Sequence, residues 1–338
     1  MSLSPTVKAA GAGGISIGFV YESPVGDAGW SFSHDLARQQ LAADPDVTAH
    51  FVEGVPDGSD AERVIEAMAR KKYNIIVTAS RSFADDTARV AAKYPDTIFL
   101  NCGGDITAPN MSVYYGRMYQ ARYLSGMVAG AMTKSNVIGY VAAYPIPEVI
   151  RGINAFTLGA RAVNPKASVK VIWTKTWYAP ELEKSAALEL IKEKSDVIAY
   201  HQDSPSAQEA AAEKGVYAIG YNADMSLLYP KTQLIAAVWN WSRFYSEMFA
   251  LYRKGLWVSG EYWLGMESGL VDITGIAPVV PEKIRNMVQA RKNEIISGRY
   301  NVFQGPVRDN SGRLRIAESQ TLSDDELKTM DWLVEGVY

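Results

Sequence analysis

From Ile15 onward the chain alternates short β-rich apolar runs with amphipathic stretches, and this alternation constrains the fold more than any other feature. Ile15–Tyr21, Thr48–Val52, Asn74–Ala79, Asp96–Asn101, Asn136–Ala143, Ser168–Thr174, Asp196–Tyr200, Val216–Tyr221 and Gln233–Trp239 read as strands. Helical stretches follow most of them: Ser31–Ala43, Asp60–Lys71, Met118–Thr133, Pro147–Val163, Pro180–Lys192, Ala207–Lys214 and Trp241–Arg253. Within Asp60–Lys71, Ala61, Val64, Ile65, Met68 and Ala69 share one face, with Ser59 or Asp60 placed to cap the helix. Strand–helix alternation of this length implies parallel sheets with right-handed crossovers. About nine such steps are too many for one open sheet of ordinary size, so the reading is two doubly wound α/β lobes.

Ligands of open parallel sheets bind beyond the carboxyl ends of the strands, so the residues that follow each strand are the candidates. After the first strand come Asp27, Trp30 and Ser31. Later strands are followed by Asp105, Trp177, His201 with Asp203, Asn222 with Asp224, and Trp239 with Asn240. These tips carry flat rings and hydrogen-bond acceptors, suited to stacking on and bonding a flat polar ligand. Taken singly, each has an ordinary structural explanation: Asp27 as a turn residue, Trp30 as a core plug, His201 as a satisfied buried imidazole. Their joint recurrence at strand ends favours a binding surface.

Catalytic and nucleotide motifs are missing. Gly11-Ala12-Gly13-Gly14 precedes a strand rather than following one, which fails the context of a dinucleotide fingerprint. No G-x-x-x-x-G-K-[ST] or G-x-S-x-G sequence occurs, and Gly126 and Gly130 read as helix-face residues. His201 and Asp203 lie two residues apart on an extended segment, too far for a direct bond in most geometries, and no nucleophile accompanies them. With one cysteine and three dispersed histidines there is no expectation of a metal or other cofactor. The net charge of −3 argues against a nucleic-acid partner. The stripe Trp241, Phe244, Tyr245, Phe249 and Tyr252 reads as helix packing.

Five segments resemble one family in order along residues 15 to 275: GFVYESPVGDAGWSFSHDLAR, the long block YYGRMYQARYLSGMVAGAMTKSNVIGYVAAYPIPEVIRGINAFTLGARAVNP, TWYAPELEKSAALELI, HQDSPSAQEAAAEKGVYAIGYNADM and ESGLVDI. The family is the basic membrane protein group of substrate-binding proteins for ABC importers, which includes the PnrA-like purine nucleoside receptors. The resemblance implies a type I periplasmic-binding-protein fold, two doubly wound parallel-sheet lobes joined by three crossing segments near Met111–Gly116, Ala236–Asn240 and Tyr262–Gly269. Lobe 1 is then residues 15–113 with 240–263 and lobe 2 is 114–239 with 264–280, leaving the lobe of 281–338 unassigned. It implies a non-catalytic monomer that binds a small molecule between the lobes and hands it to a membrane permease. It also implies a location outside the cytoplasm, often with a lipid anchor. Residues 1–14 hold no basic and apolar leader, which fits either a cytoplasmic chain or a mature one whose export signal has been removed.

Carried onto this chain, the family's purine-holding positions are Asp27, Trp30, Trp177, and Asn222 with Asp224. Ser31 stands where nucleoside receptors of the family have an asparagine, and Trp239 lies where a lysine helps to hold ribose. The indole takes the room a sugar needs, so the expected ligand is a free purine nucleobase of the adenine, guanine or hypoxanthine type. The alternatives are a nucleoside, or another small solute such as a sugar. A nucleoside hydrolase would need an aspartate cluster near the first strand, where only Asp27 stands. A LacI-type regulator would need a helix-turn-helix ahead of Ile15.

Overall fold

The computed structural model describes residues 14–338, with Asp27 described by its backbone alone. Chain order begins β1 (Ile15–Val20), α1 (Trp30–Leu41), β2 (Val47–Val52), α2 (Ser59–Arg70), β3 (Ile75–Thr78), α3 (Ala84–Ala91), β4 (Ile98–Cys102), β5 (Met111–Gly116). It continues through α4 (Tyr119–Met132), β6 (Val137–Ala142), α5 (Pro147–Val163), β7 (Ser168–Trp173), α6 (Pro180–Lys192), β8 (Val197–His201), α7 (Ser206–Lys214), β9 (Tyr217–Asn222) and β10 (Gln233–Trp239). The last elements are α8 (Trp241–Arg253), β11 (Glu261–Leu264), β12 (Val271–Ile273), α9 (Glu282–Ile296), β13 (Val307–Arg308), β14 (Leu314–Ile316) and α10 (Asp324–Lys328).

The chain divides into two α/β units. One runs to Gly116 and takes in Asn240–Leu264; the other is Arg117–Trp239 with Gly265–Tyr338. The chain therefore passes from one unit to the other three times, as a type I periplasmic-binding fold requires.

The first unit holds a six-stranded sheet ordered β11-β5-β4-β3-β1-β2, parallel at every pairing. All four residues of β3 and all five of β4 are buried, because helices cover both faces of a parallel sheet. Helix α2 buries Ala61, Ile65, Met68 and Ala69, the face expected from its periodicity. Its start differs from expectation. Neither Ser59 nor Asp60 caps it; the cap position is Gly58 at φ 80°, a left-handed turn suited to glycine. The Gly58 amide donates to Asp86 at 3.0 Å, which ties α2 to α3. The aromatic stripe of α8 is packing: Trp241, Phe244, Tyr245, Phe249 and Tyr252 are all buried.

In the second unit the order is β12-β10-β9-β8-β6-β7, parallel except for β12, which runs antiparallel to β10. Helices α4 and α5 pack at backbone distance. A Cβ on Gly126 would lie 2.0 Å from the carbonyl oxygen of Phe156, one on Gly130 2.3 Å from that of Ala160, and one on Gly159 2.0 Å from that of Tyr123. Only glycine permits this approach. The segment after residue 280 belongs to this unit. Helix α10 opens with a capping box, Ser323 to Glu326. Asn154 on α5 donates to the Trp332 carbonyl at 2.7 Å, and Tyr338 donates its amide to the Val169 carbonyl and accepts from the Val171 amide, which covers the outer edge of β7.

Candidate functional site

In the first unit the strand ends gather around Trp30. Its indole nitrogen donates to the Ala79 carbonyl just past β3 at 2.7 Å, which fixes the ring at the mouth of the sheet. The ring is half-buried and rests edge-on against His34 (4.6 Å between centroids) and Trp241 (5.4 Å). His34 stacks on Trp241 at 4.3 Å, and its Nδ1 pairs with the Tyr245 hydroxyl at 2.6 Å. Burial holds the His34 pKa well below the usual imidazole value, so the ring is neutral at physiological pH. Trp30 is thus a plate with a rigid aromatic backing.

The other first-unit candidates divide. Ser31 is wholly buried in the first turn of α1. Asp105 lies beyond β4, where it pairs with Arg81 at 3.2 Å; both side chains are more than half exposed, so the pair adds little to stability. Asn240 sits at the cap position of α8 and accepts from the Ser242 hydroxyl at 2.9 Å. Asp27 ends the turn Val25–Asp27; its side chain lies outside the described residues.

In the second unit, Trp177, His201, Asp203, Asn222 and Trp239 all fall at or just beyond the carboxyl ends of β7, β8, β9 and β10. The Asp203 amide donates to the Trp177 carbonyl at 2.9 Å, clipping the two loops together. The Trp177 ring is half-buried, 5.4 Å from Tyr144 and 6.1 Å from His201. The Nε2 of His201 shares a hydrogen bond with the Tyr221 hydroxyl at 3.2 Å. Burial is the main cause that lowers the His201 pKa, reinforced by the positive charges of Arg122 and Arg151, so this ring too stays neutral.

Asn222 adopts φ 69°, a left-handed conformation that asparagine tolerates. Its amide donates to the Gln202 carbonyl at 3.2 Å, and its side-chain oxygen accepts from the Trp239 indole at 3.1 Å. Asp224 is exposed and turned toward its own loop, accepting from the Ser226 amide at 2.9 Å and from Gln233 at 2.8 Å. Asp224 therefore shapes the turn after β9.

The residue that sequence reasoning missed is Arg122. It lies on α4 among Ala121, Tyr123, Leu124 and Ser125, is itself 0% exposed, and its guanidinium carbon sits 3.8 Å from the Tyr221 ring centroid. The available signal was one arginine on the buried side of an apolar helix pattern. Among the described residues, no group of three or more His, Cys, Asp or Glu side chains could hold a metal ion. No helix among them is long and apolar enough to cross a membrane.

The family model for the PnrA-like ABC transporter substrate-binding proteins matches residues 15–304. A purine-binding protein of Brucella abortus is 38% identical over 325 residues, covering 96% of this chain and 93% of its own. A putative ABC transporter glucose-binding protein of Haloferax volcanii is 40% identical over 292 residues, covering 86% and 74%. Among solved structures, an ABC transporter solute-binding protein of Conexibacter woesei superimposes with a TM-score of 0.73 at 23% identity, over 85% of this chain and 98% of that one. A transcriptional activator of the comK gene from Bacillus halodurans gives 0.76 at 24%, over 84% and 99%. At these identities the structures speak for the fold.

Proposed function

Because the chain belongs to the PnrA-like family of ABC transporter substrate-binding proteins, we propose that its ligand is a purine nucleobase, delivered to a membrane permease from outside the cytoplasm. The observation that carries this reading is the pair of half-buried indoles. Trp30 in one unit and Trp177 in the other each stand at strand ends; the Trp30 indole donates to the Ala79 carbonyl, and the loop carrying Trp177 is held by the Asp203 amide. Planar rings held at low entropic cost suit a flat heteroaromatic ligand, and each ring pair contributes about 0.5–1.5 kcal/mol beyond area burial. Asp27 and Asp203 supply carboxylates for the ligand's N–H groups, each charge-assisted bond being worth roughly 1.5–3 kcal/mol. Three or four such contacts, less the cost of association, reach micromolar affinity or better. The purine-binding relative covers nearly the whole chain, which supports the same reading.

A free base is preferred to a nucleoside because Trp239 is buried and bonded to Asn222, occupying volume beside the strand end where a ribose would lie. No step of this role requires catalysis. The glucose-binding relative gives a second reading, a sugar receptor, since indoles also stack on sugars. Isothermal titration of ligand-stripped protein with adenine, hypoxanthine, guanine, xanthine, their nucleosides and glucose separates the two. Binding of free bases with little response to glucose supports the purine reading. Glucose binding with no purine response overturns it.

A further inference from the structure

Several buried polar groups of the second unit lack a hydrogen-bond partner among the described residues, Ser195, Gln202 and Thr232 among them, and three others lie close together on the sheet. These three are the whole guanidinium of Arg122 (Nε, Nη1 and Nη2), the Nδ1 of His201 and the hydroxyl of Tyr140. Arg122 and Tyr140 are 0% exposed and His201 is 5% exposed. The Arg122 guanidinium carbon lies 3.8 Å from the ring centroid of Tyr221 and 5.7 Å from that of Tyr140. The Tyr221 ring is in turn 4.7 Å from His201. A Cβ built on Gly152 of α5 would meet His201 Nδ1 at 3.7 Å and Arg122 Cγ at 3.9 Å, with nothing nearer. Glycine therefore leaves about a methyl group's worth of room facing both.

The chemistry of these groups has one sign. Arginine only donates, through five N–H bonds. When the Tyr221 hydroxyl donates to His201 Nε2, the neutral imidazole carries its proton on Nδ1 and donates there. The Tyr140 hydroxyl is free to donate as well. Glu148 and Asp203 lie near enough to act on Tyr221 electrostatically, yet no carboxylate bonds to the Arg122 nitrogens. A stacked tyrosine offsets only part of the cost of a buried cation. Left without acceptors, such a group is strongly unfavourable, and proteins keep one where something else completes it.

We propose that Arg122, His201 Nδ1 and Tyr140 form an acceptor-reading subsite that selects oxopurines over adenine. This inference rests on the purine reading above and narrows it. Guanine, hypoxanthine and xanthine present a carbonyl oxygen beside N7, a pair of acceptors that an arginine engages with two parallel bonds, whereas adenine presents an amino donor at the same place. The subsite adjoins the proposed stacking surface, since His201 is 6.1 Å from the Trp177 ring. A site built from buried donors rejects a ligand lacking the matching acceptor far more strongly than an apolar pocket does.

The test is titration of the full-length chain and three variants with hypoxanthine, xanthine, guanine and adenine, together with melting of the ligand-free proteins. The wild type is expected to bind the oxopurines roughly 100-fold or more tighter than adenine. Arg122→Met should bring the oxopurines down to the level of adenine and raise the ligand-free Tm, because an unpartnered buried charge has been removed. A purely structural arginine would give the opposite, a lower Tm with the base preference intact, and that result overturns the proposal. Adenine binding as tightly as the oxopurines in the wild type overturns it too, while leaving the purine reading in place. Should Arg122→Met not fold, Gly152→Ala and Tyr140→Phe carry the test, the first by filling the space and the second by deleting one hydroxyl. Each must weaken oxopurine binding more than adenine binding; equal losses count against the subsite. Binding of glucose with no purine bound removes the purine reading itself, and this inference with it.

Discussion

The Trp239 indole donates to the side-chain oxygen of Asn222 at 3.1 Å, so two residues expected as separate ligand contacts form one locked pair across the ends of β9 and β10. The pair fixes the indole at the strand end and commits one lone pair of Asn222. Replacing Trp239 by Phe keeps most of the bulk and frees the oxygen, for a loss of about 1 kcal/mol in stability. Replacing it by Ala clears the volume. The expected outcome is that Trp239→Ala gains affinity for nucleosides relative to free bases, while Trp239→Phe does not. Calorimetric titration of both variants with hypoxanthine and inosine checks this, and an unchanged base-to-nucleoside ratio in Trp239→Ala would show that another group excludes the sugar.

The α4–α5 contact sets the position of Arg122, Gly152 and the start of α5. Since a methyl on Gly126 would overlap the Phe156 carbonyl oxygen at 2.0 Å, Gly126→Ala must push the helices apart. Overpacking of this kind costs about 1–3 kcal/mol, against the small gain in helix propensity from removing a glycine. A lower urea midpoint at unchanged slope is the expected result. A variant as stable as the parent would mean that the helices can separate freely.

Most of the fold was legible in the sequence because buried parallel strands and amphipathic helices leave unambiguous periods. Helix α2 shows this, its buried face falling at the spacing expected. Elements whose existence depends on a partner far away in sequence were less visible. Strand β11 is four residues long and is a strand because β5 lies beside it, and β12 is three residues paired with β10. The site was legible as a list of strand-end residues, but not in how each spends its hydrogen bonds. Asp224 looked like a ligand contact and is bound to its own turn, while Arg122 looked like a helix residue and is an unsatisfied cation. Sequence gives the residue type at a strand end; only coordinates show which partner it has already taken.

The half-buried ring of Trp177 lies beside Tyr144 and His201, and the loop carrying it is held through backbone atoms. Its removal should therefore affect binding much more than folding. Trp177→Ala is expected to weaken ligand binding by about tenfold or more, consistent with roughly 1.5 kcal/mol or more for a stacked ring and its contact area. The ligand-free protein should keep its melting temperature to within a few degrees. Equal affinity in the variant and the parent would remove Trp177 from the binding surface.

Two buried histidines make stability depend on pH in a definite direction. His34 and His201 both have folded-state pKa values well below the ordinary 6.5, chiefly through burial, so the folded protein leaves them neutral where the unfolded chain begins to protonate them. The unfolded state then binds more protons, and stability rises with pH across that window. Well above pH 6.5 neither state is protonated and the effect vanishes. Below it, each histidine removes up to about 1.4 kcal/mol per pH unit until its folded-state pKa is reached. Urea unfolding at pH 7.5, 6.5 and 5.5 should give a loss of somewhat under about 1 kcal/mol over the first step and a further roughly 2 kcal/mol over the second. His34→Gln abolishes its share of the pH slope whatever it does to the absolute stability, which separates titration from packing. A profile flat from pH 7.5 to 5.5 in the parent would mean that the imidazoles take up protons in the folded state, through acceptors that Nε2 of His34 and Nδ1 of His201 do not have among the described residues.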